Sequence, residues 1–271
     1  MRLSHVIEAL EELYPPAWAE SWDAVGLVCG DPGQDVERVL FAVDPVTAVV
    51  DEALEWGADL VITHHPLLLR GVHSVAATTP KGRMIHRMIR AGAALHTAHT
   101  NADVADPGVS DALARAVGLT GALRPMVPAA DDPRRGLGRI GDLAEPVALR
   151  EFTARVAAGL PSTAWGVRAA GDPDRPVRTV AVCGGAGDSL LDTARAAGVD
   201  VYLTADLRHH PASEFAEHGG PALIDAAHWA TEWPWLADAE RRLTEAAGGT
   251  LQTRVSTLVT DAWRLHDEGA Q

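Results

Sequence analysis

The chain has 271 residues, of which 47% are apolar and 22% charged, a composition that excludes a disordered protein. Its formal net charge of −14 argues against non-specific nucleic-acid binding, which needs a surplus of lysine and arginine, so we expect no nucleic-acid partner. No apolar run approaches the roughly 18 residues that cross a bilayer, and the N-terminus lacks the pattern of a signal peptide. Two cysteines, Cys29 and Cys183, form neither a disulfide framework nor a thiolate zinc motif. We therefore expect a soluble, cytoplasmic protein without a membrane partner.

The first half of the sequence alternates short runs of valine, isoleucine and leucine with helical segments. After an amphipathic N-terminal helix, the pattern predicts strands within 36–45 and 58–66, with a helix over 46–56 between them. Asp44, followed by proline, is predicted to cap this helix, and Gly57 is predicted to end it. Buried strands joined by helices indicate a largely parallel sheet.

The same alternation continues further along the chain. We predict a helix over 81–91, a strand within 93–100 and a helix from Ser110 to Gly118. Residues 125–141 are rich in proline, aspartate and glycine and are predicted to be a linker with turns. The segment 250–263 is predicted to hold a final strand followed by a tail.

Two segments, 51–63 and 192–204, resemble each other weakly, with identical residues at five positions separated by 141. Either helix–glycine–strand units simply look alike, or the chain holds two related lobes. We expect an α/β protein of two lobes, 1–125 and 126–271, each a mostly parallel sheet flanked by helices, with the C-terminal part packing back on the first lobe. Ligands collect at the carboxyl ends of parallel strands, so we expect the site in the cleft between the lobes.

Histidine and carboxylate side chains occur in three segments where predicted strands end. They are His64, His65, His96, His99, Asp103, His228 and Glu232. Neighbours on a strand point to opposite faces, so His64 and His65 could address one centre only if the chain leaves the strand there. If the third segment is helical, His228 and Glu232 share a face because they are four residues apart.

Each segment alone also has a simpler explanation, since a histidine pair can be a turn and a His/Glu pair is common on helix surfaces. Together they supply at least five nitrogen and oxygen ligands without a cysteine, as a centre with two divalent metal ions requires. Imidazole suits Zn, Fe, Ni, Cu or Co, and carboxylate adds a preference for harder ions such as Mn. The sequence leaves the identity of the metal open.

Other motifs allow weaker predictions. The segment 183–189 follows a strand and could bind a phosphate, although a tight strand-to-helix turn explains it better because it lacks the P-loop lysine. Asp206, His209 and His210 follow another strand and could contact metal ligands or substrate, or form a solvated turn. We predict Trp22 in the core, with Asp23 as a cap or turn former.

Several motifs occur in a fixed order along nearly the whole chain. They are SWDAVGL, ITHHPLL, HTNAD, GLGRIG, CGGAGDSL, DVYLTADLRHH and LIDAAHWATE. In this combination the sequence resembles the GTP cyclohydrolase I type 2 homologues, also called the Nif-three-like dinuclear metal proteins.

The resemblance implies a two-lobed subunit that assembles into a homohexamer, with two metal ions in each subunit. By similarity, His65 and Asp103 would hold one ion and His64 and His228 the other, with Glu232 bridging both. The family therefore implies a role for all five residues as metal ligands.

A metal-dependent hydrolase is the function that these features favour, with a small-molecule substrate such as a nucleotide or phosphoester. We expect Glu232 to take part in catalysis and His99, close to the metal ligands, to act as a general acid; His209 or His210 is an alternative. The competing interpretation is a metal-binding scaffold or regulator that acts through protein partners and has no turnover.

Overall fold

A computed structural model describes residues 1–267. The chain divides into two compact units: the first comprises Met1–Ala105 and Leu236–Thr260, and the second comprises Asp106–Trp235 and the described residues from Asp261 onward. Within the described residues, no helix combines the length and the apolar character needed to cross a membrane.

Helices and strands alternate along most of the chain. The helices are α1 (Leu3–Leu13), α2 (Thr47–Trp56), α3 (Pro80–Ala91), α4 (Thr100–Asp103), α5 (Val109–Ala116), α6 (Leu149–Gly159), α7 (Leu191–Ala196), α8 (His209–Glu217) and α9 (His228–Ala246). The strands are β1 (Gly26–Cys29), β2 (Arg38–Ala42), β3 (Leu60–Thr63), β4 (Ala94–Thr97), β5 (Val127–Pro128), β6 (Gly136–Leu137), β7 (Arg139–Ala148), β8 (Val167–Ala170), β9 (Pro176–Ala186), β10 (Val201–Ala205), β11 (Ala222–Ala226) and β12 (Gln252–Val255). The predicted α/β class is confirmed.

The first unit is built on a five-stranded sheet in the order β1-β4-β3-β2-β12, in which only β1 runs antiparallel to its neighbour. Every residue of β3 and β4 is buried, as expected for strands covered on both faces. Residues of α2 and α3, including Val50 and Met88, pack on one face against Val61 and Leu95.

The helices of this unit confirm most of the predicted boundaries and correct one. Gly57 ends α2 in the left-handed conformation, as predicted. The prediction that Asp44 caps this helix is wrong, because α2 begins at Thr47 and Asp44 instead accepts a hydrogen bond from His65. At the start of α3, the side chain of Thr79 accepts a hydrogen bond from the backbone N–H of Gly82.

The second unit contains a five-stranded sheet in the order β7-β9-β10-β11-β8, with parallel strands at the centre and antiparallel strands at both edges. The prediction of a linker over 125–141 is wrong for its last residues, which form β6 and the start of β7. Arg139 lies fully buried in β7, where it pairs with Asp111 at 2.8 Å and donates to the carbonyls of Gly136 and Gly138. A buried, paired arginine is not expected in a linker.

The weak internal repeat corresponds to a repeated structure. In the first unit Val39 of β2 pairs with Leu60 of β3, and in the second Val180 of β9 pairs with Val201 of β10. All four positions obey the offset of 141 found in the sequence. Of the two explanations for the repeat, the register supports two related units.

Candidate metal centre

His64 and His65 lie immediately after β3, where the chain leaves the strand. Their backbone N–H groups still donate to the carbonyls of Ala42 and Val43, at 3.1 and 2.9 Å, so β2 fixes their position. The two rings nevertheless lie on the same side of the chain, with centroids 5.2 Å apart. The departure from the strand that a shared centre requires is therefore present.

One nitrogen of each ring is held by an oxygen acceptor. His64 Nδ1 lies 2.9 Å from the carbonyl oxygen of Ala98, and His65 Nδ1 lies 2.7 Å from Oδ1 of Asp44. A carbonyl oxygen can only accept, so Nδ1 of His64 donates this hydrogen bond, and Nε2 is the ring nitrogen nearer to Asp103. Histidines that bind metals are characteristically oriented by such contacts to the second ring nitrogen.

His99 is held in the same way by Asp23, whose side chain is fully buried. His99 Nδ1 lies 2.9 Å from Oδ1 of Asp23, while Oδ2 of Asp23 accepts from the backbone N–H of Thr100 at 3.0 Å and from its hydroxyl. Burial raises the pKa of Asp23, but the hydrogen bonds from His99 and Thr100 outweigh burial and hold it below its usual value. Asp23 thus stays an acceptor that fixes the ring.

The three rings converge. One ring nitrogen from each of His64, His65 and His99 lies within 4.8 Å of the others, and Asp103 Oδ1 is 3.7 Å from Nε2 of His64. Burial, followed by the positive charge of a protonated His64, lowers the pKa of His99 to about 4. At neutral pH, His99 is therefore an uncharged imidazole, the form that binds a metal or accepts a proton.

In the second unit, His228 and Glu232 occupy the first turns of α9, so the helical interpretation of this segment is confirmed. His228 Nε2 lies 3.0 Å from Oε1 of Glu232, and His228 Nδ1 lies 2.7 Å from Oδ2 of Asp206. The charge of Glu232 raises the pKa of His228 to about 11, reinforced by hydrogen bonds to Asp206 and Glu232 and opposed by burial. Asp206 holds this ring from a backbone with φ of 57°, the only positive φ of a residue other than glycine in the described chain.

The glycines of the segment 183–189, for which the sequence favours a tight turn over a phosphate-binding loop, lie beside the donors of the second unit. β9 continues to Ala186, and Gly185 has a φ of +68°. A Cβ atom at Gly185 would lie 2.5 Å from Oε1 of Glu232, so that side chain would have to shift, and 3.1 Å from Nε2 of His228, an unusually tight contact. The glycine therefore makes room for the two donor side chains.

The structure brings His64, His65, His99 and Asp103 together in the first unit, and His228 and Glu232 together in the second. His96 is not part of either group, and its side chain is buried in β4. His209 and His210 are exposed at the start of α8, where their rings contact each other with centroids 5.1 Å apart.

Sequence reasoning missed two of the three carboxylates that orient the rings, Asp23 and Asp44. Both were interpreted as local capping residues, the commonest role of an aspartate beside a turn. The prediction that Trp22 lies in the core is wrong, since its side chain is 57% exposed. The signal that could have identified Asp23 is its place between an aromatic residue and a strand, where no helix follows for it to cap.

Comparison with protein families and with other proteins shows what this chain is similar to. The model of the family described as Duf34/NIF3 (NGG1p interacting factor 3) matches residues 1–262. A Streptomyces coelicolor protein named "GTP cyclohydrolase 1 type 2 homolog" is 60% identical over 270 residues, which cover 98% of this chain and 94% of that protein. A Mycobacterium bovis protein of the same name is 43% identical over an alignment of 373 positions, covering 99% and 98% of the two chains.

Solved structures show the same fold. A Bacillus cereus protein described as related to NIF3 aligns with a TM-score of 0.90 at 24% identity, covering 97% of this chain and 98% of that one. A hypothetical protein from Staphylococcus aureus aligns with a TM-score of 0.88 at 27% identity, covering 97% and 99%.

Proposed function

Because this chain belongs to the Duf34/NIF3 family, we propose that it is a metal-dependent hydrolase that binds two divalent ions. The proposed ligands are His64, His65 and Asp103 in the first unit and His228 and Glu232 in the second. The observation that carries this proposal is the common construction of the imidazoles, each held at Nδ1 by an oxygen acceptor.

The donor chemistry fits divalent transition metals. The imidazole nitrogens of the three proposed histidine ligands suit Zn, Fe, Ni or Co. The carboxylates of Asp103 and Glu232 also accommodate Mn. Divalent ions bound there would supply Lewis-acid chemistry, which makes water nucleophilic at neutral pH.

The chain's own residues would position the ligands and move protons. Asp44 and Asp206 would keep the rings of His65 and His228 in the orientation that presents Nε2. His99, held by Asp23 and uncharged at neutral pH, would accept or relay a proton at Nε2 during hydrolysis.

The substrate class is proposed from the relatives' names. Proteins named "GTP cyclohydrolase 1 type 2 homolog" that cover nearly all of this chain support a nucleotide or another phosphoester as substrate. The homohexamer and the cytoplasmic location inferred from the sequence belong to the same proposal, and native mass spectrometry of the purified protein tests the hexamer.

Metal content tests the ligand assignment. His64→Ala and Glu232→Ala should each lower the metal bound per chain, measured by elemental analysis after loading and desalting. His5→Ala and Glu245→Ala are matched controls, because each removes the same type of side chain from an exposed position. Full metal content in the first two variants, with native circular dichroism, would show that the assignment is wrong.

Measurements of turnover test whether the protein is a hydrolase. Metal-loaded protein should hydrolyse GTP or a member of a phosphoester panel, and Glu232→Ala should abolish that activity while Glu245→Ala retains it. A protein that holds its metals but turns over no substrate would instead be the metal-binding scaffold described above. Activity that survives Glu232→Ala would contradict the proposed role of Glu232 in hydrolysis.

A further inference from the structure

We propose that Trp22 is a stacking platform for a planar heteroaromatic ring of the substrate, an inference that rests on the hydrolase function proposed above. The indole is 57% exposed, yet it lies directly against the donor cluster of the first unit. Its ring centroid is 6.0 Å from that of His99, and the two planes are nearly perpendicular at 78°. A large exposed aromatic side chain thus stands one ring away from the proposed metal ligands.

The backbone that carries Trp22 is firmly anchored despite the exposure of its side chain. The next residue, Asp23, is fully buried and accepts hydrogen bonds from His99, Thr100 and the backbone N–H of Ala24. On the other side, the backbone N–H of Glu20 donates to the hydroxyl of Thr100 at 2.9 Å. The indole is therefore presented in a defined place, which reduces the entropy lost when a ligand binds.

The chemistry of an indole selects the class of ligand. Its π face stacks on other flat rings, and such stacking contributes about 1–3 kcal/mol per nucleic-acid base without requiring a particular base. A phosphate chain gains nothing from this face. An indole beside the donor cluster therefore favours a substrate that joins a planar heterocycle to the group that the metals engage, as a purine nucleotide does.

An exposed tryptophan can also be buried against a second copy of the chain, and the control variant separates the two roles. Trp263 is 60% exposed, nearly the same as Trp22, but it packs on Trp165 in the second unit, with ring centroids 5.8 Å apart. Substitution of Trp263 removes an equally exposed indole without touching the cluster around His99.

The experiment measures binding of two probes to the metal-loaded protein by isothermal titration calorimetry. The probes are GTP, which carries a planar base, and inorganic triphosphate, which carries none. Trp22→Ala should weaken GTP binding by about 5- to 150-fold, the equivalent of 1–3 kcal/mol, and leave triphosphate binding unchanged. Trp22→Phe should retain most of the GTP affinity, and Trp263→Ala should retain all of it.

Three results would overturn the inference. They are GTP affinity in Trp22→Ala equal to the wild type, an equal loss for triphosphate and GTP, and a wild type that binds GTP no more tightly than triphosphate. A smaller oligomer of Trp22→Ala in size-exclusion chromatography, with unchanged GTP affinity, would assign the residue to a subunit contact. The metal-content assay is independent of these measurements, so failure of the metal centre is distinguishable from failure of the stacking role.

Discussion

The two units use one scaffold to hold different sets of donors. In each, a parallel strand pair of equal register is followed by a third strand, β4 or β11, whose end leads to a histidine and a carboxylate four residues apart. These pairs are His99 and Asp103 in the first unit and His228 and Glu232 in the second. Each histidine is held at Nδ1 by an aspartate.

The units differ at the end of the middle strand. The first unit has the donors His64 and His65 there, whereas in the second the position 141 residues after His65 is Asp206, which orients His228. One position of the scaffold thus holds an imidazole in one unit and the carboxylate that orients an imidazole in the other. The ends of the strands therefore determine where polar side chains are placed, and the residue type at each position determines the role of the side chain.

The two equivalent imidazoles also differ in charge, because their surroundings differ. Burial beside another histidine lowers the pKa of His99 to about 4, and the adjacent Glu232 raises that of His228 to about 11. In the metal-free protein at neutral pH, one ring is uncharged and the other is an imidazolium, although both follow the third strand of their unit.

The largest expected effect is on the pH dependence of stability. It concerns the position in the sheet register where the first unit has His96 and the second has Ile224. His96 is 3% exposed, neither ring nitrogen has a hydrogen-bond partner among the described residues, and burial lowers its pKa to about 4. Because the unfolded chain binds a proton near pH 6.5 and the folded chain only near 4, stability falls as pH decreases through this window. The loss amounts to about 3 kcal/mol when complete.

His96→Ile should remove this part of the acid destabilisation and leave stability at pH 7.5 no lower than in the wild type. Urea unfolding of both proteins between pH 7.5 and 4 measures the difference, since all other titrating groups are common to both. Parallel stability curves for the two proteins would contradict the prediction.

The second prediction compares the carboxylates that orient the equivalent imidazoles. Asp206→Asn should weaken zinc binding, within the 10–100-fold typical of such partners, because Asp206 orients the proposed ligand His228. Asp23→Asn should weaken zinc binding less, because Asp23 orients His99, which is proposed to move protons and is not one of the proposed ligands. Competition with a chromophoric chelator measures both, and an equal or larger loss for Asp23→Asn would contradict the assignment of His99.

The third prediction concerns the close approach of backbone to donors in the second unit. Gly185→Ala and Gly198→Ala impose the same strain, since φ is +68° and +67°, but only Gly185 is in contact with Glu232 and His228. Both variants should lose about 1 kcal/mol from the left-handed backbone, and Gly185→Ala should lose more and bind less metal. Equal metal content in the two variants would contradict the contact argument.

The smallest expected difference is between the stability losses caused by removing two equivalent aspartates, one in each unit. Asp59 accepts from two backbone N–H groups at 2.8 and 2.9 Å, and Asp200 accepts from two at 2.9 Å. Asp59→Ala and Asp200→Ala should each destabilise the protein by about 2 kcal/mol, because two donors lose a charged acceptor. Chemical unfolding should give values within about 0.5 kcal/mol of each other, and a larger gap would break the equivalence of the units.

Local pattern was sufficient to predict the scaffold and much of the donor set. Apolar runs located β2, β3 and β4, glycine marked the end of α2, and the four-residue spacing of His228 and Glu232 became a helical pair. These features depend on neighbours in the sequence, which is why composition and periodicity reveal them.

The features that escaped prediction depend on distant residues. Asp23 meets His99 across 76 positions, and a turn-forming aspartate looks the same whether its partner is the next residue or a remote ring. The sequence places Arg139 in a linker because an arginine is normally exposed. A buried guanidinium is tolerated only when it is paired, and its partner Asp111 is not evident from neighbouring residues. The local sequence pattern does not identify partners that are distant in the sequence.

The edge strand β12 has a consequence for the order in which the chain can fold. It pairs with β2, and Gln252 contacts Arg38 across 214 positions. During synthesis from the N-terminus, one edge of β2 stays unpaired until β12 has left the ribosome, whereas residues 106–235, the larger part of the second unit, emerge earlier as a continuous stretch. This part of the second unit can therefore begin to fold while the first unit is still incomplete.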